Sequence, residues 1–338
     1  MAREDVVTNE YLNDPERFAD LLNVYAFQGK CMVQEQDVYP WEASLSPAIG
    51  ILRRRFLAAK YRDVIKKTVF GTNFVLIGAE NQSEIHYAMP IRGNTYDALE
   101  YDAQWRKIRK LHQKKRDLRG AEFLSGFSKK DRVKPVVTIV LYWGLEPWDG
   151  ARNLHDLMDF TDIPEEVRSM ANNYSLNLIE VRRHLNPELF RTDLRSVFGF
   201  IQHAGNKHDL KAYVFEHEAD FSNLADDAFD VIAEVTGAGE LDERKKKVQN
   251  PEGGYDMCKA IKDMIEDSKE EGKAEGELHK LIQLVCKKVQ KGQGCKTIAD
   301  ALEEPEEEIQ KLMEIVNRHA PDYDEDAIYR EFCEKKKN

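Results

Sequence analysis

Cysteine is scarce and badly placed for cross-linking. The five residues, Cys31, Cys258, Cys286, Cys295 and Cys333, are odd in number and widely spaced, with no C-x-x-C pair. That excludes a disulfide framework and a cysteine-based zinc site. Long apolar runs are missing too. The longest, Phe74–Ala79 and Val136–Trp143, are strand-sized, well short of the ~18–20 residues of a membrane span. Mean hydropathy is -0.61. The opening Met1-Ala2-Arg3-Glu4-Asp5 has no apolar signal-peptide core. We therefore expect no membrane partner and a cytoplasmic location. No period of roughly 20–50 residues recurs, so the chain is not a solenoid. The nine histidines are scattered. His203 and His208 stand five apart and share no helix face, so no histidine metal site is assigned.

Positive charge is in deficit overall. The 338 residues carry 50 Lys+Arg against 61 Asp+Glu, a net charge of -11. Taken whole, that argues against nucleic acid as a partner. The charge is not evenly spread, however. Between Arg106 and Lys134 there are twelve basic residues and three acids, Asp117, Glu122 and Asp131. From Pro251 onward, 15 basic residues face 22 acidic ones. A basic middle and an acidic tail can mark a polyanion-facing element. The plainer alternative is a solvated helix followed by a loop.

Local patterns predict the elements. Asp14-Pro15 starts a helix, with Asp14 as cap and Pro15 at the first helical position. Phe18, Leu21, Leu22 and Tyr25 share one face, and Gly29 ends the segment. Residues 31–50 read as irregular. Tyr61–Phe70 and Phe74–Gln82 read as a hairpin around Gly71-Thr72-Asn73. A long helix is expected from about Tyr96 to His112, with Arg92 in the preceding loop, and Gly120 and Gly126 open a loop after it. Val136–Tyr142, apolar on both faces, reads as a central strand. Tyr174–Val181 is a fourth strand, and helices dominate after Asp193. Lys245–Gly254 resembles a linker. This divides the chain into residues 1–244, a linker at 245–254, and a helical C-terminal region at 255–338. In that region Ile298–Leu302 and Ile309, Leu312, Met313 and Val316 form a helix–turn–helix-like pair. The second helix begins with acids that repel phosphate, so the pair reads as packing or as a homo-oligomer contact.

One constellation carries chemistry. Asp63 lies near the start of the first hairpin strand, and Glu80 and Gln82 close the second. In an antiparallel pair these two ends are neighbours. Period-two alternation puts Glu80 and Gln82 on one face. Two carboxylates at ~4–6 Å repel unless a cation sits between them. An oxygen-only set suits Mg²⁺ or Mn²⁺, which also binds phosphate oxygens. By itself, the pattern also fits solvent-facing acids at ordinary strand ends.

The order of elements adds to this. A helix, a strand with Asp63, a strand with Glu80-x-Gln82, a long helix and a buried strand resemble the PD-(D/E)XK nuclease core. The chain more specifically resembles the recombination-promoting nuclease/transposase family of that superfamily. The pieces that carry the resemblance are Asn9–Leu12 with Pro15–Asn23, Arg62–Lys67, Gly78–Ser83, Met89–Arg92 before Tyr96, Pro135–Gly144 with Pro147-Trp148, and Leu284–Gly292 with Ile298–Asp300. The resemblance implies an α/β fold, a mixed sheet flanked by helices with a helical C-terminal region. It also implies a Mg²⁺-dependent endonuclease that cuts DNA and promotes recombination. Asp63 and Glu80 would hold the metal, with Asp20 of the first helix as an outer ligand. Gln82 would replace the usual lysine. It can orient water by hydrogen bonds but cannot act as a base near neutral pH. Tyr96 could hydrogen-bond toward Gln82 or a phosphate. Lys67 shares the Asp63 face but lies about 13 Å along the strand, too far to replace that lysine. Arg92, Arg106, Lys107, Arg109 and Lys110, with Trp105, could track a phosphate backbone. The alternatives are a catalytically weak or inactive nuclease-fold protein that binds nucleic acid or protein, and an RNA-directed nuclease.

Overall fold

A computed structural model describes residues 3–40, 64–78, 85–251 and 253–336. Helix α1 (Arg3–Leu12) leads into α2 (Pro15–Phe27). The Asp14 carboxylate caps α2 by accepting from the amides of Glu16 and Arg17, and Pro15 follows it as expected. Gln28 and Gly29 then take left-handed backbone and stop the helix.

The sheet has five strands in the order β1-β2-β3-β4-β5. They are β1 (Tyr39–Pro40), β2 (Val64–Val69), β3 (Thr72–Gly78), β4 (Val136–Tyr142) and β5 (Asn177–Glu180). The first three pair antiparallel, while β3–β4 and β4–β5 are parallel. The hairpin turn falls at Phe70-Gly71, earlier than the expected Gly71-Thr72-Asn73, because Val69 pairs directly with Thr72. A two-residue turn of this kind needs positive φ at both central positions. Gly71 supplies it at no cost, and Phe70 adopts 51°. β4 is central and almost wholly buried, as its two apolar faces predict.

The crossover from β3 to β4 carries helix α3, Met89–Lys115. It begins about two turns before the expected Tyr96, because Pro90 is accepted in its first turn. Arg92 is therefore on the helix rather than in a loop. Thr138 Oγ1 donates to Asp97 of α3 at 2.5 Å, so α3 lies on the face of β4 that carries Thr138, Val140 and Tyr142. The other face meets α2, where Phe18 packs edge-on against Phe74 of β3 at 6.4 Å. Helices thus cover both faces, as a buried parallel pair requires.

Further helices follow: α4 (Gly120–Ser125), α5 (Leu194–His203), α6 (Lys207–Glu216) and α7 (Asp226–Thr236). The N-terminal helices are tied to them by one guanidinium. Arg17 bonds Asp193 through Nε at 2.8 Å and Nη2 at 2.7 Å, and its Nη1 bonds Asp227. The guanidinium also lies over the Tyr11 ring at 3.9 Å, and the Tyr11 hydroxyl donates to Asp193 at 3.0 Å. Burial works against the Arg17 charge, but the bonds to Asp227 and Asp193 raise its pKa above the ordinary value.

The chain divides into two compact units, Met1–Ala260 and Ile261–Asn338. Residues 245–251 and 253–254, read as a linker, instead belong to the first unit. Lys245 lies 2.8 Å from Asp226 and 2.5 Å from Asp230. Val248 is buried, and Asn250 Nδ2 donates to the Ser222 carbonyl at 2.8 Å. Lys245, the first of three lysines, thus finds its partners on α7, while Lys246 and Lys247 are exposed. The division falls inside helix α8 (Met257–Gln290). In the second unit, α9 (Cys295–Leu302), α10 (Glu306–Arg318) and α11 (Glu325–Lys336) close a core of Ile282, Val285, Ile298, Ile309, Leu312 and Val316 with their neighbours. The apolar positions of the helix–turn–helix-like pair are consumed there. Among the described residues no helix is long and apolar enough to cross a membrane.

Removing the Arg17 side chain leaves two carboxylates without their cation, a change that costs about 3–5 kcal/mol for a buried pair. Arg17→Ala should lose about 3 kcal/mol in urea unfolding. The four tryptophans, Trp41, Trp105, Trp143 and Trp148, all precede residue 261, so intrinsic fluorescence follows the first unit alone. An unchanged midpoint would remove the clamp from the stability of the fold.

Candidate functional site

The site is framed by one end of the sheet. Val64, the first residue of β2, pairs with Ile77 of β3. Gly78, the last residue of β3, lies beside Leu141 of β4. Met89 opens α3 and is fully buried against Val140, Tyr142, Trp148 and Leu178. The start of β2, the end of β3, the C-terminal ends of β4 and β5 and the first turns of α3 therefore share one edge. The carboxyl ends of parallel strands are where open α/β sheets place their ligands.

The three principal candidates, Asp63, Glu80 and Gln82, lie outside the described residues. Their chain neighbours Val64 and Gly78 belong to the framed edge. Arg92, on the first turn of α3, lies toward the same end, while Tyr96 lies a turn farther on, beside the Asp97 that bonds Thr138 near the start of β4. Tyr96 is 1% exposed, and the Arg92 guanidinium stands 5.8 Å from its ring centroid. Tyr96 thus packs in the core, with Arg92 stacked beside it.

Asp20 is differently employed. One oxygen, Oδ2, accepts from the amides of Arg191 and Thr192 and from the Thr192 hydroxyl, each at 2.8 Å. The residue is 6% exposed. Three donors converging on one carboxylate oxygen satisfy its charge without a cation. This arrangement fits a loop clasp before α5 rather than a metal ligand. Among the described residues no three His, Cys, Asp or Glu side chains cluster closely enough to hold a metal ion.

Lys67 is 6% exposed and pairs in register with Phe74 and Pro40. Burial holds its ammonium below the ordinary lysine value, partly opposed by Asp14. It faces α2, well along the strand from Val64. A further acid at the framed edge was not singled out from sequence. Glu180, 3% exposed, accepts from the Trp148 amide at 3.0 Å and from Arg152 at 2.6 Å. Burial opposes its charge, but these two bonds more than offset it and hold the carboxyl below its ordinary value. A strand that ends Ile179-Glu180 ahead of Arg182-Arg183 was the available signal. Glu180 pins the loop after β4 to β5.

The basic group sits elsewhere. Fourteen residues separate Arg92 from Arg106, roughly 21 Å along a helix. Val136, at the start of β4, donates to the Tyr101 hydroxyl at 3.1 Å, so this part of α3 lies at the opposite sheet end. Arg106 stands 2.8 Å from Asp102, and Arg109 lies 5.5 Å from the Trp105 ring centroid. Lys107 and Lys110 are exposed and form no ion pair among the described residues.

The chain after α3 folds back as a tied arm. His112 contacts Asp117 at 2.7 Å and Asp131 at 2.9 Å. Trp105 Nε1 donates to the Ser125 carbonyl at 3.1 Å, and Gln104 exchanges two bonds with Lys134 at 2.7 and 3.2 Å. At Gly126, φ is 67° and a Cβ would lie 2.4 Å from the Arg109 side chain, so only glycine lets the arm close here.

Compared with family models, with curated proteins and with solved structures, the chain matches none.

Two outcomes follow. Asp20→Ala strands the donors of residues 191 and 192, and should cost about 1–3 kcal/mol of first-unit stability. Urea unfolding followed by tryptophan fluorescence should show that loss; an unmoved midpoint would remove the clasp from the stability of the fold. Second, the Asp117 hydrogen bond, and then that of Asp131, raises the His112 pKa against the opposing effect of desolvation. The stabilisation from charged His112 is therefore full below about pH 6.5 and fades as pH rises through the raised folded value. An NMR titration should place the His112 ring above the ordinary histidine range and bring it down in Asp117→Asn. A midpoint unmoved by that substitution would break the assignment.

Proposed function

We propose that the chain is a metal-dependent endonuclease of the PD-(D/E)XK type, cutting DNA to give breaks that promote recombination. The observation that supports it is the direction of three strands. β2 and β3 are antiparallel, β3 and β4 are parallel, and a long helix makes the crossover. Asp63 immediately precedes the first strand, and Glu80-x-Gln82 follows the second by two residues. An acid at each of these chain positions is what a phosphodiesterase built on this core needs.

Asp63 and Glu80 would hold Mg²⁺ or Mn²⁺, with a hard oxygen set that leaves coordination for water and phosphate. When bound, the ion supplies Lewis acidity and lowers the pKa of water. Gln82 orients that water through its amide, accepting or donating hydrogen bonds without taking a proton. Arg92, on the first turn of α3, offers positive charge to a phosphate at the same edge. The basic group from Arg106 to Lys110 lies roughly 21 Å farther along α3, a span of about six base steps at ~3.4 Å per step. A duplex lying along α3 would meet both.

The test is nicking of supercoiled DNA with Mg²⁺ or Mn²⁺. Asp63→Ala and Glu80→Ala should each cut activity by at least the ~10²–10³-fold that loss of one charge-stabilising group costs. Their unfolding midpoints should stay close to wild type. Wild-type protein that cleaves neither duplex nor single-stranded DNA with either ion, yet binds it, would favour the non-catalytic binding protein. Preferential cutting of a matched RNA would favour the RNA-directed enzyme.

A further inference from the structure

The arm after α3 exposes two large apolar side chains at its tip. Phe123 is 68% and Leu124 82% exposed, on the short helix α4. Their neighbours are strongly basic: Lys114, Lys115, Arg116 and Arg119 before them, Lys129 and Lys130 after. All six are exposed, and none forms an ion pair among the described residues.

The three acids of the same stretch are each engaged in local bonds, although the Asp117 side chain stays 42% exposed. Asp117 and Asp131 bond His112. Asp131 also accepts from the Ser128 amide at 2.6 Å, and Glu122 accepts from the Lys129 amide at 2.9 Å. These bonds hold the arm's shape, while the six basic side chains face out. The adjoining backbone is fixed as well. Ser125, next to Leu124, is bonded through its carbonyl to Trp105, and Gly126 is pressed on Arg109. The apolar pair is therefore presented on an anchored support, since its neighbours on the C-terminal side are tied down.

We propose that Phe123 and Leu124 form a wedge that enters between adjacent base pairs of duplex DNA, while the surrounding lysines and arginines hold the phosphates. Charge complementarity selects this occupant. A second copy of the arm would bring like charge against like charge. An anionic lipid surface would favour a broad apolar helix face, whereas α4 has six residues and two such side chains. Apolar side chains inserted between base steps, flanked by phosphate-binding cations, are an established way to kink a duplex. The five arginines of the stretch, Arg106, Arg109, Arg116, Arg119 and Arg132, also suit phosphate, since each guanidinium offers a fork of donors. This inference shares with the proposed function only its DNA partner and does not depend on cleavage.

The test uses the full chain in EDTA, so that cutting plays no part. The probe is a short duplex with 2-aminopurine placed at successive positions, which brightens when a base unstacks. Wild type should bind and brighten at least one position. Phe123→Ala/Leu124→Ala should abolish the brightening and weaken binding about tenfold, in the range of one lost base–aromatic contact, while the salt dependence stays as in wild type. Arg116→Glu/Arg119→Glu should weaken binding at every sequence and flatten the salt dependence by roughly one unit per lost phosphate contact. The proposal is overturned if wild type binds without brightening or the alanine pair behaves as wild type. Vesicles of anionic phospholipid binding in place of DNA would overturn it too. Brightening that persists in Asp63→Ala, with nicking lost, separates the wedge from the nuclease reading. Brightening without nicking in wild type would sink the nuclease and leave the wedge.

Discussion

One guanidinium joins the two ends of the first unit's chain. Arg17 comes from the start of the chain, while Asp193 and Asp227 lie 176 and 210 residues away. Between them runs the whole sheet. The two N-terminal helices cover one sheet face, and they stay there only if something from the later helices grips them. The gripping contact is polar and partly buried, at 13% side-chain exposure for Arg17. Such a contact adds little net energy over a well-packed apolar one, but it is costly to break. Its value here is register. A planar fork shared between two carboxylates fixes the rotation of α2, and with it the direction of Phe18 into the sheet and of Asp20 toward the turn before α5.

From that rotation the site edge follows. α2 covers the face of β3 that carries Phe74, and α3 covers the opposite face of β4. With both faces closed, the sheet can open to a ligand only at its rims. The parallel β3–β4 pair makes the two rims unequal. One gathers the strand ends that lead to Glu80 and from Asp63, together with the first turns of α3. The other gathers the start of β4 and the basic half of α3. A helix of 27 residues connects the rims as a rigid rod. On the proposed reading, a polyanion lying on it would meet the Asp63–Glu80 end and the basic end at a fixed separation.

Much of this could be read from the sequence, and for particular reasons. Asp14-Pro15 is a strong helix start because cap and fixed φ act together, and α2 begins there. The run Val136–Tyr142 is apolar at every position but Thr138, so it could only be central. Other parts were not readable. The start of α3 was set late because Met89-Pro90-Ile91 lacks polar alternation. The tertiary contact of Met89 with Tyr142 and Trp148 decides it instead. Lys245 reads as part of a linker because its partners, Asp226 and Asp230, lie one helix back and no local pattern reports them. Asp20 looked like a ligand because a helical acid at that position is chemically ambiguous. Only the approach of the Arg191 and Thr192 amides distinguishes a clasp from a metal site. Asp63, Glu80 and Gln82 remain sequence readings, since the described residues stop just short of them.

The net charge illustrates a more general constraint. A chain at -11 repels polyanions on average, and an average is what long-range approach responds to at low salt. At about 8 Å of screening in physiological salt, however, a phosphate responds only to its near neighbours. The arm between Arg106 and Lys134 meets that condition, because twelve basic residues face three acids there, each acid held in a local bond. The acids left elsewhere work in the other direction, repelling any polyanion that does not engage the arm. If the proposed wedge holds, an acidic protein with one basic arm engages DNA through that arm, and the arm rather than the overall charge sets how the duplex is held.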